Sequence, residues 1–288
     1  MSNCVLVDTF PAFLSFWKNI RSRDIREQIA GWQSVYLSGW PELFQKQIQC
    51  YAEEGEDWEL IAQERIFPAL PERLPRMQTA RDNLVKVWQQ VYETSRTKLN
   101  FEKPVVFVIY VGIGCGAGWA TTYRDSLAVL LGLENIAEEG WQSLSSLQGL
   151  LAHEIGHLVH RTWRAESSLP DGDGSCWQLY SEGFAQWCEQ LVTGEPWHMA
   201  PIDSGWLDWC RSHRNWLAQE YLRCLEKKES IRRSFGSWYD IQGYKQTGYY
   251  LGFELIRALE SRIPIKEIAS LVDIDASVKI ELERMASS

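Results

Sequence analysis

In Leu151-Ala-His153-Glu154-Ile-Gly-His157-Leu-Val-His160, two histidines stand four apart with a glutamate directly after the first. Side chains at i and i+4 leave one face of an α-helix, so both imidazoles can reach one cation. A catalytic zinc has three protein ligands and leaves its fourth position to water. His153 and His157 supply two of the three, and Glu154 remains as a carboxylate beside the metal, able to take a proton from that water. Two blander readings exist. A solvated helix face does not suit the apolar and small residues around the motif, and a hydrogen-bonded pair of core histidines is the other. The candidate third ligand is Glu182 in Ser181-Glu-Gly-Phe-Ala185, early in a second expected helix, where Gly183 and Ala185 permit close approach. Glu189, seven residues on and on roughly the same helical face, is the competing carboxylate.

His153-Glu154-x-x-His157 followed by Glu182-Gly-Phe-Ala185 resembles the gluzincin metallopeptidases, whose pattern is His-Glu-x-x-His and then Glu-x-x-Ala. Gly248-Tyr-Tyr-Leu-Gly252-Phe is similar to a Gly-Tyr-x-x-Gly segment of a poorly characterised bacterial family described as predicted zinc-dependent proteases. The likeness covers about residues 100–262. It implies a small sheet ahead of the motif helix, Zn2+ held by His153, His157 and Glu182, and peptide hydrolysis with Glu154 as general base. It further implies Tyr249 as the donor to the developing oxyanion, with Tyr250 and His198 as alternatives. Two departures stand out. Some gluzincins place an Asp four residues after the third ligand to orient a zinc histidine, and here that position is Gln186. His160 at first suggests a metzincin, but that pattern needs Gly at this position and His where Trp163 stands, so His160 reads as a packing residue or one that supports a ligand.

The elements that must carry these residues follow from periodicity. Leu147, Leu150, Leu151, Ile155, Leu158 and Val159 recur at helical spacing and predict a motif helix over about 143–163. Residues 177–192 read as a second helix closed by Gly194 and Pro196, with further helices expected near 206–225, 247–262 and 277–285. Ahead of the motif, Val105-Val-Phe-Val-Ile-Tyr-Val111 has the length and β-branched content of a buried strand. Residues 119–123 and 126–133, separated by Arg124-Asp125, are two more, and together they predict a short antiparallel sheet within 104–133. From Phe10 to about Asn100 the apolar spacing is helical, punctuated by Pro11, Pro41, Pro68, Pro71 and Pro75, and no internal repeat is visible. The expected class is α+β, mostly α. A helical N-terminal region over 1–100 precedes a zincin-like catalytic domain over 101–288, made of the sheet, the motif helix and a helical C-terminal subdomain.

Composition narrows the partners. Hydrophobic residues at 45% and charged residues at 23% match a folded globular chain and exclude a disordered one. A net charge of −9 repels a phosphate backbone, so nucleic acid is excluded as a partner. Seven cysteines, odd in number and without a Cys-x-x-Cys pair, fit reduced core thiols better than disulfides or a thiolate metal site. The start lacks the pattern of a signal peptide, and the uncharged stretch 105–123 is too β-branched and glycine-rich for a spanning helix. A cytoplasmic protein with no membrane segment is therefore expected. Gly112-Ile-Gly-Cys-Gly-Ala-Gly118 has no Gly-Lys-Ser/Thr, so it reads as a turn or a place of close backbone approach to substrate and not as a nucleotide cradle.

Three functions share the site. The first is a zinc peptidase acting on a peptide or protein substrate, either within the chain or at its amino end. The second is a metal-stabilised binding or regulatory protein without turnover, against which Glu154 speaks because a structural site needs no general base. The third is hydrolysis of a non-peptide amide.

Overall fold

A computed structural model describes residues 4–195, 197–200 and 205–287. Helix accounts for 67% of the described residues and strand for 9%, so the class is α+β, mostly α. The chain divides into two compact units, residues 1–93 with 102–151, and residues 94–101 with 152–288. The division expected at residue 100 thus differs from the one observed. The N-terminal helices and the sheet share the first unit, whereas the histidine motif belongs to the second.

The first unit holds strands β1 (Val5–Asp8), β2 (Val106–Tyr110), β3 (Gly118–Tyr123) and β4 (Ser126–Gly132), in spatial order β1-β2-β4-β3. β2 runs parallel to both β1 and β4, and only β3 is antiparallel, against β4. The expected antiparallel sheet is therefore corrected to a mixed one with an additional N-terminal strand. Val-Phe-Val-Ile-Tyr and Leu-Ala-Val-Leu-Leu carry the physical reason. They are near-continuous apolar runs, as strands covered on both faces and paired in parallel must be. The Arg124-Asp125 turn between β3 and β4 has φ of 49° and 60°, as a tight two-residue hairpin requires.

Around this sheet the first unit places α1 (Phe10–Ile20), α2 (Ile25–Gly31), α3 (Pro41–Glu54), α4 (Trp58–Ile61), most of α5 (Leu70–Lys98), α6 (Leu133–Glu139) and the first turns of α7 (Leu144–Glu166). α5 continues through Pro75, which forfeits one backbone bond near the helix start without ending it. A repeat invisible in the sequence emerges here. π-turns at Trp32–Tyr36 and Ala62–Ile66 are each followed by a 3₁₀ turn, Leu37–Gly39 and Phe67–Ala69. After each 3₁₀ turn comes a helix with Pro41 or Pro71 in its first turn. In both copies the same positions point into the core: Trp32 and Ala62, Tyr36 and Ile66, Leu37 and Phe67.

The glycine loop after β2 is filled by the protein's own side chains. Glu134 accepts hydrogen bonds from the Gly112 and Gly114 N–H groups at 2.8 and 3.1 Å, and Gln47 accepts one from Ile113 at 2.9 Å. Burial pushes the Glu134 carboxyl up to about 7, against those same N–H donors, which favour its charged form. Gly114 and Gly116 have φ of 96° and 140°, which only glycine adopts readily. The expected close approach at this loop is thus made by Glu134, Gln47, Tyr51 and Ile66.

The second unit comprises the end of α5, the rest of α7, and α8 (Gly174–Thr193), α9 (Trp206–Ser212), α10 (Arg214–Lys227), α11 (Arg232–Phe235), α12 (Thr247–Glu260), α13 (Ile265–Ala269) and α14 (Ile274–Ala286). Ser143 Oγ caps α7 through the Ser146 N–H at 3.1 Å, and Gly194 ends α8 in the left-handed conformation at φ 90°. The helix expected over 206–225 is two, α9 and α10, separated at His213. Arg164 on α7 ties its unit together from a buried position. Its guanidinium donates to the carbonyls of Pro170, Ala269 and Leu271 at 2.9–3.0 Å and lies over the Trp177 ring. Among the described residues none of the seven cysteines forms a disulfide. Among the described residues no helix is long and apolar enough to cross a membrane. Pro196 and residues 1–3, on which a helix stop and the leaderless start were expected, lie outside the described residues.

Candidate metal centre

α7 presents His153 and His157 one turn apart, their Nε2 atoms separated by 3.2 Å. Glu182 on α8 brings Oε2 to 3.1 Å from His153 Nε2 and 3.3 Å from His157 Nε2. Ligands 2.0–2.1 Å from a tetrahedral zinc are separated by 1.63 times that distance, roughly 3.3–3.4 Å. The three atoms therefore form one face of a coordination tetrahedron within the ~0.2 Å tolerance of a metal site. Their chemistry fits as well, with two imidazole nitrogens and a carboxylate oxygen, a set suited to zinc. The face is graded in exposure: the His153 side chain is 4% accessible, against 14% for His157 and 19% for Glu182. Burial would raise the Glu182 carboxyl, but His157 and His153 beside it overcome that and hold it well below the usual carboxylate range.

Glycines set this spacing. A Cβ on Gly156 of α7 would meet Cys188 Cβ at 2.8 Å and Ala185 Cα at 3.0 Å, so its absence lets α8 lie close against the motif helix. Ala185 serves the close approach expected of it. Gly183 instead faces α12, where a Cβ would press on the Gly252 backbone, with Cα at 2.9 Å. Gly252, the second glycine of Gly-Tyr-x-x-Gly, is thus a helix-crossing residue.

The other candidates fall into two groups. Glu154 is buried at 6% and follows His153 by one residue, about 100° round the helix. The Tyr249 ring lies 5.7 Å from the His153 ring, and His198 lies 5.3 Å from it. Tyr250 is turned away into an aromatic cluster with Trp197 and Trp206. His160 stacks on Phe184 at 4.5 Å and Trp177 at 5.3 Å, and burial pushes its pKa well below the usual histidine range. It is a neutral packing residue.

Two groups of three described residues lie close enough to hold an ion, His153 with His157 and Glu182, and His153 with Glu189 and His198. The second departs from coordination geometry. Glu189 Oε2 is 2.7 Å from His198 Nδ1, a charge-assisted hydrogen-bond length and too short for two ligands of one metal. Glu189, weighed in the sequence as a third ligand, is therefore a hydrogen-bond acceptor, and Gln186 is fully buried beside it on α8. Ser181 Oγ, 3.3 Å from His157 Nδ1, was not anticipated, although its place directly before Glu182 was a signal. No family model, curated protein or solved structure matches this chain. What the site rests on is its own geometry, a buried His/Glu cluster able to hold a metal ion.

Proposed function

We propose that the chain is a gluzincin-like, zinc-dependent hydrolase that cleaves peptide bonds. One observation carries the reading: three ligand atoms spaced as a tetrahedral face, with a buried carboxylate next in sequence to the first of them. A site needed only for stability usually closes its fourth position with a side chain and has no use for such a carboxylate. Zinc held there supplies a Lewis acid that polarises the substrate carbonyl and makes water easier to deprotonate. Glu154 takes the proton from the attacking water and returns it to the departing amine. The Tyr249 hydroxyl donates to the carbonyl oxygen as its charge develops, with His198 as the alternative donor. Ser181 at the His157 Nδ1 directs that ring's Nε2 towards the face it shares with Glu182.

The test joins metal analysis to digestion of a mixed peptide library. About one zinc per chain is expected in the wild type and is lost in His157→Ala and Glu182→Ala. Cleavage, read as internal cuts and as released terminal residues, is expected to fall about 10²–10⁴-fold in Glu154→Gln. Zinc without cleavage would overturn the hydrolase and favour a metal-stabilised binding protein. Turnover of small amides but not peptides would move the substrate class, and no bound metal would remove the reading altogether.

A further inference from the structure

A histidine that ligates through Nε2 carries its proton on Nδ1, and that proton needs an acceptor. Nδ1 of His153 is buried and makes no hydrogen bond, and the Oε2 of Glu189 lies 3.8 Å from it. Glu189 is itself sealed in, its side chain 1% exposed, and anchored at both oxygens. Oε1 accepts the His198 backbone N–H at 2.9 Å, and Oε2 faces His198 Nδ1 at 2.7 Å. The geometry points to Glu189 as the positioning residue for the metal ligand His153, held in place by the loop carrying His198. It fills the role that Gln186, a neutral amide at the position where an orienting carboxylate was expected, leaves without an anion.

Three features support this assignment. The spacing is right, because Glu182 and Glu189 are seven residues apart on α8 and project from roughly one face. One carboxylate therefore meets the Nε2 side of His153 and the other its Nδ1 side. The charge is right too, since an anion behind Nδ1–H raises the basicity of Nε2 and so its strength as a ligand. The remaining gap is small: bringing 3.8 Å to an ordinary charge-assisted bond takes a movement of about 1 Å. The inference rests on the proposal that His153, His157 and Glu182 bind zinc, and the experiment separates the two.

Zinc affinity is measured by competition with a chromogenic chelator for the wild type, Glu189→Gln, Glu189→Asp and His157→Ala, with circular dichroism as a check on folding. The expected result is tight binding by the wild type, loss in His157→Ala, and about 10–100-fold weaker binding in Glu189→Gln with partial recovery in Glu189→Asp. Wild-type affinity in a folded Glu189→Gln would overturn the positioning role while leaving the metal site intact. Failure of the wild type to bind would overturn both. If the variants do not fold, nitrogen-15 NMR of the zinc-loaded wild type gives a second readout. His153 is expected to show a protonated, downfield-shifted Nδ1 with Nε2 on the metal. Protonation of Nε2 instead, or an Nδ1 proton exchanging freely with water, would refute the assignment.

Discussion

Gly183→Ala tests whether the crossing of α8 over α12 sets the metal site. An alanine Cβ at 183 would lie 2.9 Å from Gly252 Cα and closer still to the Gly252 carbonyl. Carbon atoms pack at about 3.5–4.0 Å, and the carbonyl carbon is nearer than Cα, so the helices must part by more than about 1 Å. Neither side can yield by turning a side chain, because the obstacle is backbone. Overpacking of this kind costs about 1–3 kcal/mol. The larger effect is expected next door. Glu182 shares the moving backbone, and a displacement near 1 Å is several times the ~0.2 Å tolerance for a metal ligand. Gly183→Ala should therefore remain largely folded by circular dichroism, lose about 1–3 kcal/mol in urea unfolding of the metal-free protein, and bind zinc at least tenfold more weakly by chelator competition. Wild-type zinc affinity together with a stability change under 0.5 kcal/mol would show that the crossing does not position Glu182.

Other outcomes follow from single features. Tyr249→Phe is expected to lower kcat by about 10²-fold with little change in unfolding midpoint, and unchanged turnover would remove the hydroxyl from the reaction. Glu134 binds its proton more tightly folded, with its pKa raised from 4.5 to about 7, than unfolded, so the folded state holds more protons between these values. Stability should fall as pH rises from about 4.5 to 7 and level off above, by up to about 3 kcal/mol, and denaturant titrations of Glu134→Gln should lack this slope. An identical slope in the variant would assign the dependence to other groups. Arg164→Met strands the buried carbonyl of Ala269 and should cost about 1–3 kcal/mol, with Arg164→Lys costing less, read by urea unfolding. A change below 1 kcal/mol in the methionine variant would refute that role.

Legibility in the sequence followed the range of the interactions. His153, His157 and Glu182 were readable because helical periodicity fixes which side chains share a face, and the face they form needs only one further helix. β2, β3 and β4 were placed nearly to the residue, because apolar β-branched runs and turn chemistry are local. Pairing is not local: β1 joins β2 across about a hundred residues, and nothing in Val5-Leu-Val-Asp8 states its partner or direction. Glu189 was read as a rival ligand because spacing gives the face but not the depth at which a carboxylate stops. The paired π-turns escaped because their shared feature is backbone geometry, supported by Trp and Tyr in one copy and Ala and Ile in the other.

That last contrast bears on the glycine segment. In the earlier copy, Trp32 Nε1 donates to the Val111 carbonyl and the Tyr36 hydroxyl accepts from the Val111 amide, so two aromatic tips hold both backbone polar groups of one residue where β2 gives way to the loop. In the later copy Ile66 adds only bulk, closing over Gly114. Two bends of one form thus enclose a single stretch of backbone, one gripping it by polarity and the other covering it with bulk. Trimming either is expected to loosen the same seven glycine-rich residues, and with them the seat of Glu134.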